Sequence, residues 1–247
     1  MKCQLFGLGT LVCLLCLSFT GAAVASEPPA APEKKADAAP TDKPEKKKRT
    51  LGVVLYEGFE PLDVYGPVEV FGNVGGPLKL HLVAEKAGPV KSILGAATVA
   101  EFGFDDCPEL DLILVPGGMG TLKQLRNEKF HTWLRDRAPK AEIVMSVCSG
   151  SAILAQAGLL DGRKATTNKQ SFKLLTSGKN KVEWVKEARW VDEGDRVTSS
   201  GVSAGIDMSL HIVERLWGAE LAEGIADGTE YTWNRDPAND PFAKFVK

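Results

Sequence analysis

The stretch Ala141–Leu160 reads AEIVMSVCSGSAILAQAGLL and has the pattern of a strand, a tight turn and a helix. Ile143–Val147 is a short apolar run rich in β-branched residues, and small residues and an Ala/Leu-rich segment follow Cys148. At such an elbow, free N–H groups and the helix dipole stabilise a thiolate. The pattern therefore predicts Cys148 as a nucleophile with a lowered pKa. The alternative is a buried core cysteine, because free cysteines are often buried.

Further apolar runs flank this elbow. They predict buried strands at Leu51–Leu55, Leu78–Ala84 and Leu110–Val115, a hairpin or edge element over Pro89–Ala100, and a strand pair formed by Val182–Val191 and Arg196–Ser200. The predicted helices are Val64–Phe71, Lys169–Leu175, Ser203–Trp217 and one that begins with Leu221–Ala226. Strands that alternate with helices in this way predict one α/β domain.

A glycine loop follows the predicted strand Leu110–Val115. It reads Pro116-Gly117-Gly118, and two glycines directly after a buried strand let a backbone N–H point at a ligand, as in an oxyanion site. No G-x-G-x-x-G or Walker pattern follows, so a nucleotide site is not predicted. In a parallel sheet the carboxyl ends of neighbouring strands share one crevice, so this loop, the elbow and the loop after the first strand should converge.

A carboxylate belongs to the same predicted crevice. Asp63 stands where the N-cap of the helix Val64–Phe71 should be, with Pro67 in its first turn. A thiolate and an ionised carboxylate a few ångströms apart repel, so one of the two should keep a proton, and the pair then suits proton transfer to carbon. Asp63 is therefore a catalytic candidate, with Glu60 and Glu57 as substitutes for that role; the alternative is that Asp63 only caps its helix.

The first 49 residues have the composition of segments outside the fold. Met1–Ala25 has a short positive start, an apolar core and a small-residue cleavage site, which predicts an export signal peptide. Residues 26–49 are rich in Pro, Lys and Ala and predict a disordered linker. The domain is expected at residues 50–247, exported to the periplasm or secreted, with no membrane attachment after signal removal.

Charge and cysteine content limit the function classes. The chain carries 44% hydrophobic and 25% charged residues with a formal net charge of −2, a balance that does not point to nucleic acid as a partner. After signal removal only Cys107 and Cys148 remain. They should lie at opposite ends of the sheet, too far apart to form a disulfide.

Five segments together carry a resemblance to a known family. They are LDVYGP at Leu62–Pro67, VPGG at Val115–Gly118, SVCSGS at Ser146–Ser151, AGLLDGRKATTN at Ala157–Asn168 and SGVSAGID at Ser200–Asp207. Because these five segments occur together and in this order, the chain resembles the DJ-1/PfpI family of the class I glutamine-amidotransferase-like superfamily. Within it the likeness is greatest to isonitrile hydratases and to the similar domain of AraC-type regulators. The resemblance implies a flavodoxin-like, doubly wound, mostly parallel sheet with helices on both faces and a nucleophile elbow.

The resemblance also implies roles for individual residues. The family's elbow cysteine falls on Cys148, its acid on Asp63, and its oxyanion donors on the N–H groups of Gly118 and Ser149. Ser149 keeps the hydroxyl that the hydratases place directly after the cysteine. The positions expected against the substrate are Gly117, Met119, Thr167 and Asn168.

At two positions this chain differs from many members of the family, and both differences limit the reactions that we expect. Protease-like members have histidine where this chain has Ser149, and many members have histidine where it has Asn168. His81, His131 and His211 fall on predicted elements away from the crevice. A Cys-His hydrolase pair is therefore not expected.

Three functions remain open on the sequence. The first is a lyase that needs no cofactor or metal, resembles isonitrile hydratase and adds water to a small electrophilic isonitrile. The second is a glyoxalase-like enzyme that acts on methylglyoxal. The third is a non-enzymatic ligand- or redox-sensing domain. The family resemblance further implies a homodimer.

Overall fold

The computed structural model describes residues 47–246. The predicted signal peptide and most of the predicted linker lie outside the described residues. Arg49, the last residue of that predicted linker, already belongs to the first strand, and its guanidinium pairs with Glu142 at 2.8 Å. Within the described range, no helix is long and apolar enough to cross a bilayer.

The strands and helices alternate along most of the chain. The strands are β1 (Arg49–Val54), β2 (Leu78–Val83), β3 (Gly88–Lys91), β4 (Ala97–Ala100), β5 (Leu112–Val115), β6 (Ile143–Ser146), β7 (Lys164–Ala165), β8 (Glu183–Trp184), β9 (Trp190–Asp192) and β10 (Arg196–Ser199). The helices are α1 (Pro61–Gly72), α2 (Thr121–Gln124), α3 (Glu128–Arg137), α4 (Gly150–Gln156), α5 (Phe172–Thr176), α6 (Ala204–Trp217) and α7 (Ala219–Gly228), with a 3₁₀ turn at Ala243–Phe245.

Six strands form the central sheet in the order β2-β1-β5-β6-β10-β9. All neighbours are parallel except β9, which runs antiparallel to β10 at the edge. Every residue of β5, β6 and β10 is buried, and because successive side chains point to opposite faces, both faces of the sheet are covered. The predicted α/β, mostly parallel, flavodoxin-like architecture is confirmed.

The smaller strands largely follow the predicted pattern. The hairpin predicted over Pro89–Ala100 is present as the antiparallel pair β3 and β4, outside the central sheet. The run predicted as one strand, Val182–Val191, is divided instead. Its first part, β8, pairs in parallel with β7, and only its end, β9, joins β10.

Helix α1 starts earlier than predicted. It begins at Pro61, whose fixed φ suits the first helical position, and its N-cap is Glu60. The expectation that Asp63 caps the helix is therefore wrong: Asp63 is buried in the first turn. Pro67 lies inside the helix rather than in its first turn, so residue 67 cannot donate a hydrogen bond to the carbonyl of Asp63.

Candidate active site

The turn after β6 holds Cys148 in a strained backbone conformation. Its φ of 56° is in the left-handed region, which non-glycine residues rarely adopt. The surroundings maintain this strain, because the Cys148 N–H donates to the Ser200 carbonyl at 2.8 Å. The Cys148 carbonyl accepts from the hydroxyls of Thr167 at 3.0 Å and Ser151 at 3.2 Å. The predicted nucleophile elbow is present.

Gly150 lets the elbow approach the glycine loop. A Cβ at this position would overlap the carbonyl oxygen of Val115 and lie 2.7 Å from that of Pro116. Gly117 is equally constrained, because a Cβ there would lie 2.5 Å from the Ser149 nitrogen and 2.9 Å from the Asp63 carboxylate. The strand ends after β1, β5 and β6 therefore meet at one edge of the sheet, as predicted.

Asn168 reaches the sulfur directly. Its Nδ2 donates to Cys148 Sγ at 3.2 Å, while its Oδ1 accepts from the Ser171 N–H at 3.0 Å. The second bond fixes the orientation of the amide, because only the oxygen can accept from a backbone N–H. An amide can stabilise a thiolate but cannot remove a proton, so the residue in place of the family's histidine is not a base.

The Asp63 carboxyl supplies the acid–base group. It is fully buried, its Oδ2 accepts from the Gly117 N–H at 2.7 Å, and its Oδ1 has no hydrogen-bond partner among the described residues. Burial raises the pKa of Asp63 to about 8, so the carboxyl is largely protonated at neutral pH. Oδ1 is then the oxygen free to carry the proton.

The pKa of the Cys148 thiol is raised, not lowered. Burial and the nearby Asp63 carboxylate raise it to about 12, against the N–H groups of Ser149 and Val202 and the amide of Asn168. The lowered pKa predicted from the helix amino terminus is wrong, because α4 has only seven residues and the sulfur is removed from water. The thiol therefore depends on a neighbouring base to become nucleophilic.

A hydroxyl chain orients Ser149. Its Oγ accepts from the Gly118 N–H at 3.1 Å and lies 2.8 Å from Thr121 Oγ1, which lies 3.0 Å from the Tyr56 hydroxyl. Tyr56 donates to the Pro116 carbonyl at 2.7 Å, and a carbonyl can only accept. Thr121 therefore donates to Tyr56, and Ser149 donates to Thr121 rather than to the Gly118 carbonyl, which lies farther away at 3.4 Å. The remaining Ser149 lone pair is free to accept from a water or substrate.

Some of these groups line a cavity of about 340 Å³, and the fully buried Asp63 is not among them. Among the predicted site residues, Cys148, Ser149, Gly118, Met119 and Asn168 line it. Glu60, a substitute candidate for the role of Asp63, also lines it, and the remaining lining residues were not predicted: Thr121, Leu122, Gln170, Ser171, Leu174, Leu175 and Val202.

Two predicted substrate contacts are not in the walls of this cavity. Gly117 has both backbone groups occupied, since its N–H donates to Asp63 and its carbonyl accepts from Glu60 at 2.9 Å. Thr167 is fully buried behind the elbow, where its hydroxyl holds the Cys148 carbonyl. Both residues position the site and do not line it.

The histidines lie elsewhere in the described chain. His81 contacts Glu101 at 2.7 Å, His211 contacts Asp192 at 2.8 Å, and His131 is buried in α3. None lines the cavity that contains Cys148. Within residues 47–246, no cluster of His, Cys, Asp and Glu has the arrangement of a metal site.

Comparison with known proteins shows which proteins this chain is similar to. The model of the DJ-1/PfpI family matches residues 49–215. Isonitrile hydratase from Pseudomonas putida is 36% identical over 182 residues, which are 73% of this chain and 78% of that enzyme. A crystal structure of a ThiJ/PfpI family protein from Pseudomonas syringae superposes with a TM-score of 0.70 at 34% identity, covering 82% of this chain and 84% of that one.

Regulators are also among the relatives. The HTH-type transcriptional regulator GbdR from Pseudomonas aeruginosa is 27% identical over 184 residues, and the match covers 72% of this chain and 50% of the regulator. The chain thus spans about half the length of that relative.

Proposed function

The chain belongs to the DJ-1/PfpI family, and we propose that it is a hydro-lyase of the isonitrile hydratase kind, which converts an isonitrile and water into an N-substituted formamide. The observation that carries this proposal is the pairing of the Cys148 thiol with the buried Asp63 carboxyl, without a histidine in the cavity. Hydration of an isonitrile needs a proton on carbon and a nucleophile on the same carbon, and this pair can supply both.

The first half of the reaction is addition of the thiol. Asp63 gives its proton to the terminal carbon, Cys148 Sγ forms a bond to that carbon, and the ionised carboxylate takes up the thiol proton. The product is a thioimidate, in which the former isonitrile carbon carries one hydrogen, the sulfur and the nitrogen. Asn168, with its N–H on the sulfur, stabilises the charge that develops there.

The second half is hydrolysis of the thioimidate. A water molecule that donates a hydrogen bond to Ser149 Oγ attacks the carbon. One proton of this water passes to the nitrogen through Asp63, and the carbon–sulfur bond then breaks. The remaining hydroxyl proton returns to the sulfur, so the sum of both halves is one isonitrile plus one water giving one formamide. The Gly118 N–H holds Ser149 in place for this step.

The test gives the full-length protein methyl isonitrile and methylglyoxal in parallel. We expect N-methylformamide, detected by NMR, and its loss by at least about a thousandfold in Cys148→Ser, as is usual when a covalent nucleophile is removed. Asp63→Asn should lose the same activity. Lactate from methylglyoxal would instead identify a glyoxalase-like enzyme, and no turnover of either compound would favour a sensing domain.

Cys107→Ser is the matched control. The Cys107 thiol donates to the Pro108 carbonyl at 3.4 Å, a bond that a serine hydroxyl can also make, and Cys107 does not line the cavity. This variant should keep full activity. Its inactivity would mean that the loss in Cys148→Ser cannot be assigned to the nucleophile.

A further inference from the structure

Helix α2 contributes to the walls of two separate cavities. Thr121 and Leu122 line the cavity that contains Cys148, whereas Lys123 and Gln124 line a second cavity, and the two cavities share no lining residue. The second cavity has a volume of about 340 Å³, which is the size of a small-molecule site. The proposed hydration makes no use of it, because the nucleophile is not in its walls.

One wall of the second cavity is apolar. Six buried side chains form it: Leu55, Tyr56, Ala84, Val90, Phe104 and Phe130. The aromatic rings are neighbours, since the ring centroids of Phe104 and Phe130 are 5.3 Å apart and those of Tyr56 and Phe130 are 6.3 Å apart. An apolar cavity of about 150 Å³ accepts benzene, so roughly twice that volume leaves room for two fused rings.

Gln124 brings an unused hydrogen-bond donor to this cavity. Asn127 Oδ1 accepts from the Phe130 N–H at 3.2 Å, so Asn127 Nδ2 is the donor that lies 2.9 Å from Gln124 Oε1. The Gln124 amide is therefore oriented with its oxygen on Asn127, and its Nε2 has no hydrogen-bond partner among residues 47–246. Gln124 is only 5% exposed, and an unpaired buried donor is costly. A ligand that accepts a hydrogen bond from Nε2 would remove this cost.

The unpaired charge at the mouth of the second cavity is positive. Two glutamates line it, but Glu57 and Glu85 each accept a hydrogen bond from a protein N–H group, at 3.3 and 3.1 Å. Lys86 and Lys123 also line it, are exposed, and form no ion pair within the described part of the chain. Two ammonium groups without a carboxylate partner favour an anionic ligand.

We propose that the second cavity binds a small aromatic carboxylate with two fused rings. The rings would pack against Tyr56, Phe104 and Phe130, and the carboxylate would accept from Gln124 Nε2 near the Lys123 ammonium. The inference goes beyond the proposed function and does not depend on it. The compound would be a ligand of this site and not the substrate, because Cys148 lies in the other cavity.

Three naphthalene derivatives test the ligand class. The compounds 2-naphthoate, 2-naphthamide and 2-naphthylmethylamine carry the same rings with an anionic, a neutral and a cationic group. Isothermal titration calorimetry on the full-length protein, at neutral pH and low salt, measures the Kd of each. We expect 2-naphthoate to bind about tenfold more tightly than 2-naphthamide, because a charged acceptor makes the stronger hydrogen bond, and the amine to bind most weakly. No binding of 2-naphthoate, or affinities that do not follow the charge, would overturn the proposal.

Two variants remove the groups that should hold the carboxylate. In Lys86→Gln/Lys123→Gln we expect the Kd of 2-naphthoate to rise about tenfold and that of 2-naphthamide to stay within about twofold. Gln124→Leu removes the donor at similar volume and should raise both Kd values about fivefold, the size of one hydrogen bond. Its melting curve reports whether it folds, and if it does not, the lysine variant alone decides. Lys79→Gln, which removes an exposed ammonium from β2 outside the cavity, should change neither Kd.

Alkylation of Cys148 locates the binding site. Iodoacetamide fills the other cavity, and mass spectrometry confirms the modification at Cys148. The Kd of 2-naphthoate should then stay within about twofold, because the two cavities have separate walls. Loss of binding would assign the compound to the Cys148 cavity and overturn the proposal. If no isonitrile is hydrated, the proposed function fails while these affinities still decide the second site.

Discussion

Asp63 sets the expected pH dependence. Its pKa is raised to about 8 by burial, and the proposed reaction starts from the protonated carboxyl, which gives its proton to carbon. Below pH 8 the acid is present, and above it the acid is lost. We therefore expect kcat/KM for an isonitrile to be level at neutral pH and to fall about tenfold per pH unit well above 8. A pH-rate profile of the full-length protein measures this, and a rise through pH 8 would contradict the role of Asp63 as the acid.

Thr121 is expected to act through Ser149. Thr121→Val keeps the shape but removes the hydroxyl that receives the Ser149 proton, so Ser149 loses its orientation. We expect kcat to fall about tenfold, the size of one lost hydrogen bond, with little change in KM. Thr121→Ser, which restores the hydroxyl, should recover most of kcat. A loss of activity that the serine variant does not recover would indicate a packing role only.

At the scale of single residues, the sequence was sufficient to identify the main catalytic candidates, but it was not sufficient to predict their burial and their hydrogen bonds. Cys148 and Asp63 could be found from an elbow pattern and a family resemblance. The direction in which the pKa of Cys148 is shifted could not be predicted from the sequence. It depends on how deeply the sulfur is buried and on the position of the Asp63 carboxylate. Thr121 was missed because a threonine three residues after Gly118 has no sequence pattern that marks a hydrogen bond to Ser149.

The elbow as an element depends on the absence of a side chain at Gly150. Gly150→Ala would drive a Cβ into the Val115 carbonyl, and rigid backbone cannot move aside without shifting β5 or the elbow. We expect a loss of about 1–3 kcal/mol in the free energy of unfolding and a loss of activity. Urea denaturation followed by circular dichroism measures the free energy of unfolding.

Gly224→Ala is the matched control for that prediction. Gly224 lies in α7, is exposed, and has open space where the Cβ would be placed. Alanine should stabilise this helix by about 0.5–1 kcal/mol, because glycine is the weaker helix former. Equal stabilities of the two variants would mean that the close approach of the elbow to the end of β5 does not require glycine at position 150.

Elements with long apolar periodicity were predictable, and short ones were not. α6 begins one residue from its predicted start, because its apolar face repeats over 14 residues. The start of α1 was misplaced by three residues, since Pro61 and Glu60 define it and neither belongs to the apolar pattern. The pairing of β7 with β8 is a contact between distant segments of two residues each, which local pattern does not encode.

For the whole molecule, we propose that the chain is exported and that the mature protein begins near Ser26. The support is the composition of the first 25 residues: a positive start, an apolar core and Ala-Val-Ala before Ser26. Amino-terminal sequencing of the protein from its native host should find Ser26. Soluble protein that still begins with Met1 would contradict export and place Cys148 in a reducing compartment.

A buried charge cluster links the carboxyl-terminal segment to the rest of the molecule. Asp240 lies 3.7 Å from both Lys169 and Arg189, and Arg189 also pairs with Asp207 at 2.7 Å. Lys169 adjoins Asn168, so the cluster connects the final residues with a group on the nucleophile. Burial lowers the pKa of Lys169 to about 8, an effect that the carboxylate of Asp240 opposes.

Asp240→Asn keeps the size of the side chain and removes its charge, which leaves Lys169 with a buried ammonium and no anion in contact. We expect a loss of about 3–5 kcal/mol in stability, the usual cost of removing one partner from a buried ion pair, and a fall in Tm of roughly 10 °C. Asp105→Asn is the control, because Asp105 pairs with Lys129 at 3.5 Å but its side chain is 86% exposed. Solvent screens that pair, so its Tm should not change. If both variants melt alike, the segment that carries Phe242 and Phe245 is not held in place by its buried charges.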